Sequence, residues 1–288
     1  MNKLRSKSYA KINLSLDVKG KRDDGYHIVN MVLQSIDLCD KLEFEINSDI
    51  VFECDNKYIP SDGSNLIVKA ANLLKREFGG YGALIRLNKN IPAAAGLAGG
   101  SSNAAATLVA LNKLWDLNID LPMLKQLAVS LGADVPFCIE GGTKVASGIG
   151  DVLLDIKTPQ LKLLIVKPPL FVSTKDVYTE YDKLDFIENN YTIKMIDAIN
   201  SGSIVDICSS LGNDLERVTI KNYPIIGEIK KMMIERGASG TLMSGSGPTV
   251  FGIFDNWDSL NMAYNAFLNE GFFVYIANTI DKGIELYE

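Results

Sequence analysis

The residues Pro92, Ala93, Ala94, Ala95, Gly96, Leu97, Ala98, Gly99, Gly100, Ser101, Ser102 and Asn103 constrain the fold of this chain more than any other stretch. They follow an alternating, strand-like run at residues 84–87. They precede a run with Ala104, Leu108, Leu111 and Trp115 on one helical face. Three glycines and two serines therefore stand where a strand turns into a helix. A helix start leaves about four N–H groups without partners and carries partial positive charge. Glycine lets backbone approach a ligand without a Cβ in the way. A loop of small residues opening a helix is thus suited to hold phosphate. A tight turn with Ser101 or Ser102 as N-cap would use the same residues, but the length and glycine density of the loop favour an anion site. Two other phosphate loops do not fit. A P-loop ends in Gly-Lys-Ser/Thr, and no lysine lies between Pro92 and Ala110. The dinucleotide fingerprint needs Gly-x-Gly-x-x-Gly, and Asp116 and Asp120 fall at the end of the same helix, not after a following strand.

The chain of 288 residues is too long for one small core and suits two domains. Its net charge of −6 argues against general nucleic-acid binding. The first 22 residues differ: Lys3, Arg5, Lys7, Lys11, Lys19, Lys21 and Arg22 face only Asp17. That segment is either a solvated surface or a field attracting an anionic substrate. Cys39, Cys54, Cys138 and Cys208 stand far apart, which predicts reduced thiols in a cytoplasm and neither a zinc knuckle nor a redox pair. His27 is the one histidine, so no site needing two is expected. No run of about 18 apolar residues occurs, so no membrane association is expected.

Residues 10–18 alternate strictly. Ala10, Ile12, Leu14, Leu16 and Val18 make one face of a half-buried strand, and Lys11 and Asn13 stand on the polar other. Asp23-Asp24-Gly25 is a turn signal that delivers Tyr26 and His27 to the next strand, residues 28–36. A strand at 42–46 follows, with 50–54 expected to pair with it. Helices are predicted over 65–78, ended by Gly79, and from Leu121-Pro122 to Gly132. Asp134 then lies among small and apolar residues, where a carboxylate needs a hydrogen bond or a cation. It is either a helix cap or a functional acid. Residues 143–156 read as a strand pair. The rhythm changes near Pro159, predicting domains over 1–158 and 159–288. The second half reads as a strand at 161–166, a helix capped by Ser173 running through Tyr178, further helices including 225–236, strands around a glycine-rich turn at 238–251, a helix at 259–268 and a strand at 272–276. This order predicts an α+β layer.

Three motifs in order carry a resemblance: Ala10-Lys11-Ile12-Asn13-Leu14, the stretch from Pro92 to Ser102, and Ser244-Gly245-Ser246-Gly247-Pro248-Thr249. Together they resemble the GHMP small-molecule kinases over nearly the whole length, with Asn103 a mild departure where an aspartate would be as natural. The resemblance implies an N-terminal domain like the second domain of ribosomal protein S5 and a ferredoxin-like C-terminal domain. It implies transfer of the ATP γ-phosphoryl group to an alcohol, with residues 92–102 holding phosphates, Lys11 stabilising charge and paired with Asp134, and Asp134 accepting the hydroxyl proton. Asp24-Gly25-Tyr26-His27 and Gly132-Ala133-Asp134-Val135-Pro136 resemble the branch that phosphorylates the 2-hydroxyl of a cytidine-diphosphate-linked methylerythritol in the non-mevalonate isoprenoid pathway. On that resemblance Tyr26 and His27 would hold the base, Tyr178 would be a second face of the stack, Asn13 would line the substrate site, and the turn at Ser244, Gly245, Ser246 and Gly247 would close over substrate phosphates. Mg²⁺ would arrive with ATP and not in a protein cage. A monomer or a homodimer fits equally. Open alternatives are a sibling kinase for homoserine or mevalonate, or a nucleotide-binding regulator without turnover.

Overall fold

The computed structural model describes residues 2–288. The chain opens with an antiparallel pair, β1 (Lys3–Lys21) and β2 (His27–Asn47), joined through the turn at Asp24-Gly25. β3 (Ile50–Cys54), α1 (Leu66–Phe78) and β4 (Gly82–Asn88) follow. Asn65 caps α1 by accepting the Ile67 N–H, and Gly79 ends it. The glycine-rich loop leads into α2 (Gly99–Leu114), then α3 (Leu121–Leu131), α4 (Val135–Glu140) and the strand pair β5 (Thr143–Ser147) and β6 (Val152–Ile156). β12 (Ile284–Tyr287) and β8 (Gly212–Asn213), both from the second half, pair with β1. They complete an eight-stranded sheet whose main path runs β12-β1-β2-β4-β3.

The second half contributes β7 (Lys162–Lys167), α5 (Thr174–Tyr181), α6 (Tyr191–Ser201) and α7 (Ile204–Ser210) before β8. After β8 come α8 (Glu216–Asn222), α9 (Ile225–Glu235), β9 (Gly240–Met243), β10 (Val250–Phe254), α10 (Trp257–Asn269) and β11 (Phe273–Asn278). Four of these strands form an antiparallel sheet in the order β11-β7-β10-β9. β6 of the larger sheet ends at Ile156 and β7 of the smaller one begins at Lys162, while β8 and β12, later in the chain, return to the larger sheet.

Three expectations need correction. Residues 50–54 do not pair with 42–46; β3 runs parallel to β4 instead. The reason is that both edges of residues 41–45 are taken, by β1 on one side and β4 on the other. The apolar face of residues 10–18 is not continuous. Ala10, Ile12 and Leu14 belong to a cluster shared with Ile165, Phe251 and Ile253 of the second sheet, whereas Leu16 and Val18 belong to the cluster under α1 and α2. Register shifts between Tyr9 and Ala10 and between Asn13 and Ser15 interrupt the pairing with β2. An irregularity of this kind breaks the strict alternation of faces. The polar side of the same strand is not solvated: Lys11, Asn13 and Asp17 are 5%, 1% and 1% exposed.

Candidate active site

A cavity of about 970 Å³ lies between the two halves of the chain. The glycine-rich loop forms one wall. Its backbone is tightly wound, with Ala94 and Ala98 at φ 47° and 55° and Gly96 at φ 74°. Left-handed alanines cost about 1–2 kcal/mol each, and such strain gathers where loops clamp ligands. Ala98, not Ser101 or Ser102, occupies the N-cap position of α2 and offers no side-chain cap. The first helix bond runs from the Ser102 N–H to the Ala98 carbonyl. The N–H groups of Gly99, Gly100 and Ser101 precede it and lack intrahelical acceptors. All three residues line the cavity. A concave wall of free N–H groups at a helix start is an anion site.

The loop is held from behind. Asp40, fully buried, accepts the Asn90 and Ile91 N–H groups at 2.7 Å each and pairs with the Lys89 ammonium, fixing the entry to the loop. Ser102 donates to the Tyr9 carbonyl at 2.7 Å, and Asn103 accepts from Ser8 at 2.7 Å, so both side chains tie α2 to β1. The Leu97 carbonyl accepts the Lys11 N–H at 3.1 Å, and the Leu97 side chain sits in the core. The Ser244 hydroxyl donates to the Gly96 carbonyl at 2.8 Å and accepts the Asn13 N–H at 3.3 Å. One side chain of the second half thus bridges the loop and β1. This approach leaves no room for a side chain at position 96, where a Cβ would lie 2.1 Å from the Ser244 carbonyl oxygen.

Lys11 projects from β1 and lines the same cavity. Its Nζ donates to Asn13 Oδ1 at 2.8 Å and lies 3.7 Å from Asp134 Oδ2. Asp134 stands at the start of α4 but makes no side-chain cap bond. Its carboxylate instead faces the cavity and Lys11, which supplies the cation that an acid in these surroundings requires. In the same cavity Tyr26 is 60% exposed, and the His27 and Tyr178 rings stack with centroids 4.5 Å apart. Burial pushes the Tyr178 phenol up, and the charge of Asp134 adds to the shift, so the hydroxyl stays protonated. His27 Nε2 bonds Asp182 Oδ1 at 2.6 Å, and Lys21 pairs with the other oxygen of Asp182 at 2.5 Å. Burial alone would raise the Asp182 carboxyl, but the Lys21 and His27 bonds outweigh it and hold the group below its ordinary range.

The cavity wall therefore gathers Lys11, Asn13, Tyr26, His27, Asp134 and Tyr178 with Pro92 to Gly96, Ala98 to Ser101, Gly245 and Ser246. Leu97, Ser102, Ser244 and Gly247 lie behind the wall and support it. Asp182, Asp40 and Thr174, whose hydroxyl meets Ser246 Oγ at 2.8 Å, belong to the site's construction but escaped sequence reasoning. Each acts through a partner distant in the chain, and nothing local marks it.

Comparison with known proteins agrees with this geometry. Residues 65–142 match the family model "GHMP kinases N terminal domain", and residues 195–272 match "GHMP kinases C terminal". The chain is 50% identical over 289 residues to the 4-diphosphocytidyl-2-C-methyl-D-erythritol kinase of Thermoanaerobacter pseudethanolicus, covering 100% of both. It is 45% identical to the enzyme of that name from Clostridioides difficile, covering 99% of this chain and 98% of the relative. A solved structure of 4-(cytidine 5'-diphospho)-2C-methyl-D-erythritol kinase superposes with a TM-score of 0.81 at 30% identity, covering 96% of this chain and 98% of that one. The homoserine kinase of Cytophaga hutchinsonii reaches the same TM-score at 20% identity, covering 100% of this chain and 98% of that one, which shows the shared fold alone. With two α+β halves, an ATP-using family on both sides of the cavity and full-length relatives at half identity, this chain belongs to the GHMP small-molecule kinases and, among them, to the 4-diphosphocytidyl-2-C-methyl-D-erythritol kinase family.

Proposed function

We propose that this kinase transfers the γ-phosphoryl group of ATP to the 2-hydroxyl of 4-diphosphocytidyl-2-C-methyl-D-erythritol in the cytoplasm. The observation that carries this reading is one cavity lined by the Lys11–Asp134 pair, by Gly99, Gly100 and Ser101 with their open N–H groups, and by Tyr26 and His27. In the transfer the alcohol oxygen bonds to the γ-phosphorus, the bond to the β–γ bridging oxygen breaks, and ADP leaves. Such a transfer spreads charge over non-bridging oxygens, so catalysis is mostly positioning and electrostatic stabilisation. The loop N–H groups hold the β- and γ-phosphates. Lys11, kept in place by Asn13, faces the transferred group. Asp134 takes the hydroxyl proton. Tyr26 stacks on the cytosine, His27 bonds its edge, and Tyr178 supports the His27 ring. Gly245 and Ser246 close the cavity from the second half.

Among the described residues no three His, Cys, Asp or Glu side chains cluster as a metal cage. Mg²⁺ commonly rests on one or two carboxylates plus phosphates and water. Asp134 is the carboxylate beside the loop, and this donor set fits a Mg²⁺ that enters with ATP and neutralises phosphate charge. No helix among the described residues is long and apolar enough to cross a membrane. The alternative of a regulator without turnover gives no reason for Lys11 and Asp134 to be paired in the cavity.

The test is ADP release from the purified protein with Mg-ATP, offering the cytidyl alcohol, homoserine, mevalonate and galactose separately. Release with the cytidyl compound alone is expected. Release with another alcohol overturns the substrate, and ATP binding without release under any of them overturns the kinase reading of Lys11 and Asp134.

A further inference from the structure

The proposed function leaves one group at the base end unused. Asp182 closes α5 as its C-cap, one helical turn beyond Tyr178, and its N–H bonds the Tyr178 carbonyl at 3.0 Å. The i, i+4 spacing puts both side chains on one face of the helix. Both meet the same ring. Tyr178 stacks flat on His27 with an interplanar angle of 23°, and Asp182 Oδ1 lies 2.6 Å from His27 Nε2. The stack sets the plane of the imidazole, and the carboxylate sets its rotation within that plane. A carboxylate is an acceptor only, so it bonds Nε2 when that nitrogen carries the proton. Lys21 holds the other oxygen of Asp182, which keeps the carboxylate charged and in place. His27 Nδ1 has no bond to protein among the described residues and is not sealed from solvent. The neutral ring then has its proton on Nε2 and a bare lone pair on Nδ1.

We propose that Asp182 is the positioning residue for base recognition: by taking the Nε2 proton in a hydrogen bond it makes His27 present Nδ1 as an acceptor, which selects cytosine over uracil. Cytosine carries an exocyclic N4 amine, a donor, where uracil carries O4, an acceptor. An acceptor on the protein satisfies the first and leaves two lone pairs opposed with the second. A site built to bond one edge rejects the analogue that lacks it, because a polar group is left unpaired. This inference rests on the cytidyl substrate proposed above and adds to it the residue that sets the hydrogen-bond code.

Because His27 is the single histidine, ¹⁵N-labelled imidazole gives one signal set without assignment. In the full-length wild type at about pH 8 the proton is expected on Nε2, protected from exchange. In Asp182→Ala that protection is expected to vanish. In parallel, kcat/KM is measured with cytidine- and uridine-diphosphate-linked methylerythritol. The wild type is expected to prefer the cytidyl compound. Asp182→Ala is expected to lose roughly tenfold of that preference, the size of one misplaced hydrogen bond, with KM for ATP unchanged. Asp182→Glu, which keeps the acceptor, is expected to regain part of it. Asp182→Leu, which has no acceptor, serves in place of Asp182→Ala if the latter does not fold. A wild-type proton on Nδ1 overturns the proposal, and so does an unchanged base preference in the variant that lacks the acceptor. No ADP release with either compound overturns the substrate reading and this inference with it. Turnover without base preference in the wild type overturns the inference alone.

Discussion

The two ends of the cavity are built by different means. At the glycine-rich loop the wall is backbone, aimed by left-handed residues at Ala94, Gly96 and Ala98 and buttressed by buried side chains of Asp40, Ser102, Asn103 and Ser244. At the His27 end the wall is side chain. Tyr26 stands largely in solvent, and His27 is held by Tyr178 and Asp182 from the other half of the chain. Backbone N–H groups bind any phosphate alike and so suit a part of the reaction common to all GHMP kinases. Side chains at the interface of two halves can vary independently of that machinery. On the proposed function, common chemistry falls to backbone and particular specificity to side chains within one cavity.

That contrast is broken most severely from the loop end. Asp134→Asn and Lys11→Met are each expected to lower kcat by about 10²-fold or more, the range of general-base help. Thermal unfolding of Asp134→Asn should stay near that of the parent, since Asp134 makes no cap bond. Turnover like the parent in either variant would remove these residues from the mechanism. Gly96→Ala should come next. A Cβ 2.1 Å from the Ser244 carbonyl oxygen, at φ 74°, forces loop and turn apart. Overpacking of this kind costs about 1–3 kcal/mol. It is expected to raise KM for ATP by about tenfold or more and to lower the unfolding temperature. Equal effects on ATP and on the alcohol would blur the division between the ends.

How much of each end could be read in advance does not follow the same division. The loop and Asp134 lie in local patterns, a strand–glycine–helix junction and an acid stranded among apolar residues, whereas Lys11 and Asn13 at one end and Tyr26, His27 and Tyr178 at the other stand out only through the family resemblance. Asn65, Gly79, Ser173 and Gly132 likewise mark helix ends within a few residues of themselves. What escaped depends on long-range pairing. No local pattern places β12 beside β1, and the interrupted register that divides Ala10, Ile12 and Leu14 from Leu16 and Val18 is written in the pairing with β2, not in the alternation itself. The polar face of β1 reads as a surface because the second half that covers it is more than a hundred residues away. Asp182 looks like any acid at the end of a helix until His27 is brought to it.

At the far end, His27→Ala sharpens the comparison in the opposite sense. It is expected to raise KM for the cytidyl alcohol by about tenfold, the scale of a lost hydrogen bond and stacking contact, while changing KM for ATP less than about twofold. Both effects are read in one steady-state titration. A parallel rise in both constants would mean that the two ends are not independent.

The smallest effect concerns the support of Asp134. The short α4 begins beside Asp134 and ends at Glu140, whose carboxylate pairs with Lys125 and lies 2.7 Å from Lys144. Burial works against the charge, but the two lysine bonds outweigh it and hold the Glu140 carboxyl below its ordinary range. A depressed carboxyl adds stability that is fully present above its unfolded value, near 4.3, and is lost as the pH falls through its folded value. Glu140→Gln is therefore expected to cost about 1 kcal/mol at pH 7, and the gap from the parent should close as the pH drops below about 4. Urea unfolding of both proteins across that range measures it. A gap independent of pH would show that the shape of the side chain, and not its charge, holds α4 in place. Either way kcat at pH 7 should change far less than in Asp134→Asn, because Glu140 lies outside the cavity wall.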